Sequence, residues 1–80
     1  MAYKILRSAL KHGFTEDDIL SVLGMPSQEI VMRHDPLKVL HIGFTDAGVP
    51  LEVITDASGH DESVRVVIHA MRLGKQYHPG

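Results

Sequence analysis

The stretch KVLHIGFTDAGVPLEVIT, residues 38–55, decides the fold of this chain, because it reads as two strands joined by a tight loop. Leu40, Ile42 and Phe44 share one face of the first strand, since successive side chains of a strand point to opposite faces. The residues DAG are typical of a hairpin loop, and LEVIT after them alternates again. The stretch therefore predicts an antiparallel hairpin.

Strand patterns continue on both sides of this hairpin. Asp35-Pro36 marks a turn before it, and Ser58-Gly59 begins a loop after it. Four strands are predicted in all, at residues 29–34, 38–45, 51–55 and 64–71. Short connections between them predict a mostly antiparallel sheet.

Before Pro26 the apolar residues recur at helical spacing instead. Residues 4–12 are predicted to form a first helix that ends at Gly13. A second helix is predicted over residues 16–23, opened by a capping box between Thr15 and Asp18. We therefore expect one α+β domain over residues 1–80, with two N-terminal helices packed on a four-stranded, mostly antiparallel sheet, in the order α-α-β-β-β-β.

Composition excludes several classes of protein. The 80 residues suffice for one domain, and the lack of cysteine excludes disulfides and thiolate metal sites. No apolar run approaches the roughly 20 residues of a membrane span, and the first residues lack a signal-peptide core. We expect a cytoplasmic protein with no membrane partner. The net charge of −2 argues against strong non-specific binding of nucleic acid.

The last predicted strand, VRVVIHAM, carries the most suggestive chemistry. Arg65 and His69 are four residues apart and are expected to share a face of that strand. They would offer a fixed cation and an imidazole that titrates near neutral pH, which suits phosphate binding and proton transfer. The alternative is that a solvated sheet face simply collects such side chains.

Three segments in this order resemble the BrnT-like toxins of the RelE/ParE-like toxin–antitoxin superfamily. They are KHGFTEDDI at residues 11–19, LHIGF with LEVIT in the hairpin, and RVVIHAMR at residues 65–72. The resemblance covers roughly residues 4–77 and implies a RelE/ParE-like fold, a toxin role in a type II system and a cognate antitoxin as partner. Such toxins are mostly endoribonucleases that cleave mRNA, although some relatives poison DNA gyrase. His69 departs from the serine that is common in the best-known members.

Metal-independent RNA cleavage needs a base, an acid and cations at the phosphate. We predict His69, Arg65 and Arg72 as catalytic residues, with the arginines holding the phosphate. Contacts to RNA are predicted for four further residues, Lys75, Tyr77, Lys11 and His12. His12 has a favoured alternative role, which is to complement the dipole at the C-terminus of the first helix.

No cofactor is expected, and the six histidines are too scattered to predict a metal site. The alternative function is that of a non-catalytic binding protein, either an inhibitor that acts by occlusion or a degenerate toxin that only binds a protein partner. Convergence of His69, Arg65 and Arg72 on a solvent-open groove favours the enzyme, and burial of His69 with bonds to backbone favours the binding protein.

Overall fold

The fold is a five-stranded mixed sheet with a single α-helix on one face, in a computed structural model that describes residues 2–59, 61 and 63–74. The sheet order is β1-β5-β4-β3-β2, with β1 parallel to β5 and every other pair antiparallel. The elements in chain order are β1 (Ala2–Ile5), a 3₁₀ turn (Arg7–Leu10), α1 (Glu16–Gly24), β2 (Gln28–His34), β3 (Leu37–Phe44), β4 (Pro50–Asp56) and β5 (Val64–Arg72).

The predicted arrangement of two helices on a four-stranded sheet was wrong, because the chain begins with a strand. Tyr3 and Ile5 pair with Arg65 and Val67 of β5, and the 3₁₀ turn follows at once. The spacing of apolar residues in 4–12 fits a helix equally well, but β5 offers backbone partners and an apolar face that a strand can use. Tertiary pairing therefore overrode local periodicity.

The second predicted helix is confirmed as α1. Its capping box is complete, because Asp18 N donates to Thr15 Oγ1 at 3.1 Å and Thr15 N donates to Asp18 Oδ2 at 3.0 Å. Ile19 and Val22 are fully buried against the sheet. Gly43 of β3 allows this close approach, since a Cβ there would lie 3.2 Å from Val22 Cγ1.

The sheet carries apolar clusters on both faces. We call the face under α1 the helix face and the other the reverse face. The helix-face core consists of Ala9, Ile19, Val22, Leu51, Val53, Val67 and Ala70. A smaller cluster on the reverse face contains Leu40, Ile42 and Leu73, with Ile54 packed against it. The described residues contain no helix long and apolar enough to cross a membrane.

A β-bulge in β5 changes which side chains share a face. Thr55 pairs with Val67, but its neighbour Ile54 pairs with His69, so Ile68 is an extra residue in the strand. Cross-strand partners share a face, and adjacent residues of β4 point to opposite faces. Arg65 and Val67 therefore lie on the helix face and His69 on the reverse face. The prediction that Arg65 and His69 share a face was wrong.

Candidate functional site

The three residues predicted as catalytic do not converge. His69 is alone among them on the reverse face, because Arg65 and Arg72 both lie on the helix face. These two arginines are seven positions apart in β5, which is roughly 20 Å along a strand. Lys75 and Tyr77 lie outside the described residues. Any site built on His69 must therefore draw its other groups from elsewhere.

His12 is the first of those groups. Its ring centroid lies 5.9 Å from that of His69, with the two rings edge to face at 73°. The 3₁₀ turn brings it there, since Leu6 N donates to Val67 O and Gly13 N donates to Leu10 O as the chain bends back over β5. The favoured alternative for His12 was wrong, because the helix that it was expected to end does not form.

Glu52 is the second group, and sequence reasoning missed it. It lies on β4, pairs with Met71 on the reverse face and is buried. Its Oε2 is 3.6 Å from His69 Nε2, and the His69 side chain is 28% exposed. The sequence feature that could have identified Glu52 is its position as the one carboxylate within the otherwise apolar stretch LEVI. We call these three residues the His12–His69–Glu52 cluster.

The segment that carries His12 is basic. Residues 2–12 contain Lys4, Arg7 and Lys11 and no acidic residue. All three side chains are exposed; Lys4 lies on β1, Arg7 is the first residue of the 3₁₀ turn, and Lys11 follows its last residue. Lys11 adjoins His12 in the chain, so it adds one positive charge next to that imidazole.

A second polar cluster lies on the helix face, and sequence reasoning also missed it. His41 Nε2 is 2.8 Å from Thr55 Oγ1, and its Nδ1 is 2.7 Å from Glu29 Oε2. The second contact has an ion-pair distance but an angle outside hydrogen-bond geometry. Arg65 is close enough to influence His41, and its Nε is buried without a hydrogen-bond partner. We call these residues the His41 cluster.

Burial decides the electrostatics of the His41 cluster. Desolvation lowers the pKa of His41 below its ordinary value of 6.5, and Arg65 adds to that effect, whereas the Glu29 carboxylate opposes it. The neighbouring carboxylate favours a proton on Nδ1, so we assign the Thr55 hydroxyl as the donor to Nε2. Thr55 is itself buried, so it cannot act as a nucleophile on a large substrate.

Two further features are an ion pair and a cavity. Arg33 holds Asp56 through two hydrogen bonds of 2.8 and 2.9 Å. Burial opposes ionisation of Asp56, but hydrogen bonds from Ser58 and Arg33 outweigh it and lower the pKa of Asp56. A cavity of about 360 Å³ opens beside the C-terminus of α1, lined by Ser21, Met25, Pro26, Ser27, Phe44 and Asp46. It has no imidazole or cation for phosphate chemistry.

Of these features, the His12–His69–Glu52 cluster is the one equipped for proton transfer on an exposed substrate. It combines two accessible imidazoles with a buried carboxylate. Within residues 2–59, 61 and 63–74 no three histidine or acidic side chains are grouped to hold a metal ion. No protein-family model, curated protein or solved structure gives a significant match to this chain. The geometry of the cluster is therefore the structural basis for the proposed activity.

Proposed function

We propose that this chain is a metal-independent endoribonuclease that acts on mRNA in the bacterial cytoplasm, as the toxin of a type II toxin–antitoxin system. The observation that carries the proposal is the approach of His12 to His69, with ring centroids 5.9 Å apart and Glu52 behind His69. Two imidazoles at this spacing can reach two different oxygens of one phosphate. The toxin role rests on the sequence resemblance described above.

The mechanism assigns one proton transfer to each imidazole. His69 accepts the proton of the 2′-hydroxyl, whose oxygen attacks phosphorus while the bond from phosphorus to the 5′ oxygen breaks. His12, in its protonated form, donates a proton to that leaving oxygen. The products are a 2′,3′-cyclic phosphate and a 5′-hydroxyl, and no co-reactant is needed.

Glu52 supports the choice of His69 as the base. The Glu52 carboxylate, 3.6 Å from His69 Nε2, stabilises through its charge the imidazolium that forms when the base takes its proton. Lys11, which adjoins His12 in the chain, attracts the phosphate and offsets the charge that builds on it. Arg65 has no part in this mechanism, because it lies on the other face of the sheet.

The test is cleavage of a short single-stranded RNA in the presence of a chelator. We expect cleavage by the parent chain, and none when the scissile nucleotide carries a 2′-deoxyribose. Substitution of either His12 or His69 by alanine should lower the rate by about 10²–10⁴. His34→Ala is the matched control, because His34 is an exposed histidine on β2. A chelator-sensitive activity, or full activity without His12 and His69, would refute the mechanism.

The toxin assignment has a separate test. Induced expression of the parent chain should arrest bacterial growth, and co-expression of the cognate antitoxin should relieve the arrest. The alternative, a non-catalytic binding protein, is favoured by one observation, namely that all seven residues of the edge strand β2 are exposed. Growth arrest that persists in His12→Ala/His69→Ala would support occlusion instead of cleavage.

A further inference from the structure

The edge strand β2 is the least protected part of the described sheet. Every one of its seven residues is exposed, and three consecutive apolar side chains lie at its centre, Ile30, Val31 and Met32, at 36%, 48% and 49% exposure. Natural edge strands are usually shielded by charged residues such as lysine, by proline, by a β-bulge or by a covering segment. QEIVMRH contains no lysine or proline and no described strand lies beyond it, so its protection is limited to a bulge after Val31 and to the charges of Glu29 and Arg33.

Charge is distributed unevenly along β2. Its first half carries Glu29, and its end carries Arg33 and His34. A bulge shifts the register between Val31 and Arg33, so Val31 pairs with Val39 but Arg33 pairs with Lys38. Because of this shift, Glu29 and His34 lie on the same face of the sheet, the helix face. An antiparallel copy of β2 would thus present His34 to Glu29.

We propose that β2 pairs with β2 of a second copy of this chain, antiparallel and about a two-fold axis, to form a continuous ten-stranded sheet. Glu29 faces His34 of the second copy, and the symmetry repeats this contact. The same register sets Val31 opposite Met32 of the second copy beside the axis. A two-fold axis is the most common symmetry of soluble homo-oligomers. In this arrangement the apolar centre of β2 is buried in both copies.

The charges on the shared face fit this register. Glu29 already lies 2.7 Å from His41 within its own chain, and 53% of its side chain remains exposed. Arg33 does not compete for Glu29, since it points to the reverse face and binds Asp56. The net charge of −2 per chain gives little overall repulsion between copies. A single strand pair buries a small area, so we expect association at micromolar and higher concentrations.

This pairing is independent of the proposed ribonuclease activity. The His12–His69–Glu52 cluster lies at β5 and β4, and β3 separates these strands from β2. The dimer therefore leaves both clusters at the outer ends of the extended sheet. Loss of dimerisation should leave cleavage per chain unchanged, and loss of cleavage in His69→Ala should leave dimerisation unchanged.

The test is sedimentation of the purified chain from about 1 μM to about 1 mM, together with hydrogen exchange of the β2 amides at both ends of that range. We expect a reversible monomer–dimer equilibrium, with added protection at high concentration of the β2 amides that point away from β3. A monomer at all concentrations would overturn the proposal. So would β2 amides that gain protection only when RNA or another protein is added.

Three substitutions identify the interface, and a fourth is the control. Val31→Lys places two like charges near the axis and should raise the dissociation constant by at least about 30-fold. His34→Glu opposes Glu29 of the second copy and should raise it about tenfold, whereas His34→Lys should leave it within about threefold. Leu20→Lys makes the same charge change on α1, away from β2, and should have no effect. Unchanged dimerisation in Val31→Lys would refute this interface, provided that circular dichroism shows a folded variant.

Discussion

Two histidines of this molecule each lie beside a glutamate, on opposite faces of the same sheet. On the helix face, His41 contacts Glu29 and Thr55, and its side chain is only 8% exposed. On the reverse face, His69 lies near Glu52 and His12, and its side chain is 28% exposed. Both pairs consist of a histidine and a glutamate, but the more deeply buried residue is a different one in each pair. The imidazole is the buried partner in the first pair, and the carboxylate is the buried partner in the second.

This difference shows which histidine is available for chemistry. Each ring nitrogen of His41 has a polar atom of the protein itself within 2.7–2.8 Å, Glu29 Oε2 at Nδ1 and Thr55 Oγ1 at Nε2. His69 Nε2 is 3.6 Å from Glu52, which is beyond hydrogen-bond distance. A proton carrier must have a ring nitrogen that a substrate can approach, so His69 is suited to catalysis and His41 to structure.

The largest effect is expected at His69. His69→Ala should lower kcat/KM for RNA cleavage by about 10²–10⁴, because a general base is lost. Its unfolding free energy should change by less than about 1 kcal/mol, because the side chain is partly exposed and not tightly bonded. Cleavage kinetics and urea unfolding of the same preparation measure both quantities. If His69→Ala lost much stability but kept normal cleavage kinetics, His69 would be structural and not catalytic.

His41 should show the opposite behaviour. His41→Ala removes a buried ring and leaves the Thr55 hydroxyl without its partner, so we expect a loss of about 2–4 kcal/mol in unfolding free energy. Cleavage by the fraction that remains folded should stay within about threefold of the parent. Urea unfolding monitored by circular dichroism gives the first value. His34→Ala, at an exposed position, should cost less than about 0.5 kcal/mol.

The pH dependence of stability should report His41 as well. The pKa of His41 is lowered in the folded chain, so the unfolded chain binds more protons below the ordinary value of 6.5. Stability is therefore fully present above about pH 6.5 and declines as the pH falls below it. Chemical denaturation between pH 8 and pH 5 should show this decline in the parent and in His69→Ala, but not in His41→Ala.

Asp56 provides an internal check on that range. Its pKa is lowered from 3.8, so its contribution to stability is present above that value and is lost as the pH falls further. The loss of stability caused by His41 and that caused by Asp56 should therefore occur in separate pH ranges. A decline that begins only near pH 4 would assign the acid sensitivity to carboxylates such as Asp56 and Asp61, whose pKa values are both lowered, and would contradict the burial of His41.

A smaller effect is expected at Glu29. Glu29→Gln removes the carboxylate that raises the pKa of His41, so that pKa should fall further and the acid decline should extend to lower pH. The direct cost at neutral pH should be below about 1 kcal/mol, because 53% of the side chain is exposed. Titration of His41 by NMR in the two proteins measures the shift. An upward shift would contradict the contact.

The smallest effect on cleavage is expected at Arg65. Arg65→Ala should leave kcat/KM within about threefold of the parent, because Arg65 lies on the helix face and the His12–His69–Glu52 cluster on the reverse face. Lys11→Ala, beside His12, is the matched loss of a cation and should weaken RNA binding and its salt dependence. A loss of about 10²-fold in Arg65→Ala with normal stability would return the site to the helix face.

Local chemistry determined part of this structure in a way that sequence reading captures. The capping box of Thr15 and Asp18 and the acidic first turn predict α1, since a helix terminus is satisfied by its own neighbours. The loop DAG and the alternation around it predict the hairpin of β3 and β4. His69, His12 and Lys11 could be singled out because their residue types suit phosphate chemistry.

Only the tertiary structure decided the rest, because it depends on partners that are distant in sequence. Residues 2–5 became a strand because β5 supplied a parallel neighbour about 60 positions away. The bulge at Ile68 reversed the face of His69 relative to Arg65, and one inserted residue leaves no trace in an alternating pattern. Glu52 reached His69 through strand pairing, and His12 reached it through the turn after β1. The sequence alone thus identified the imidazoles as candidates, whereas long-range strand pairing determined which groups lie beside them.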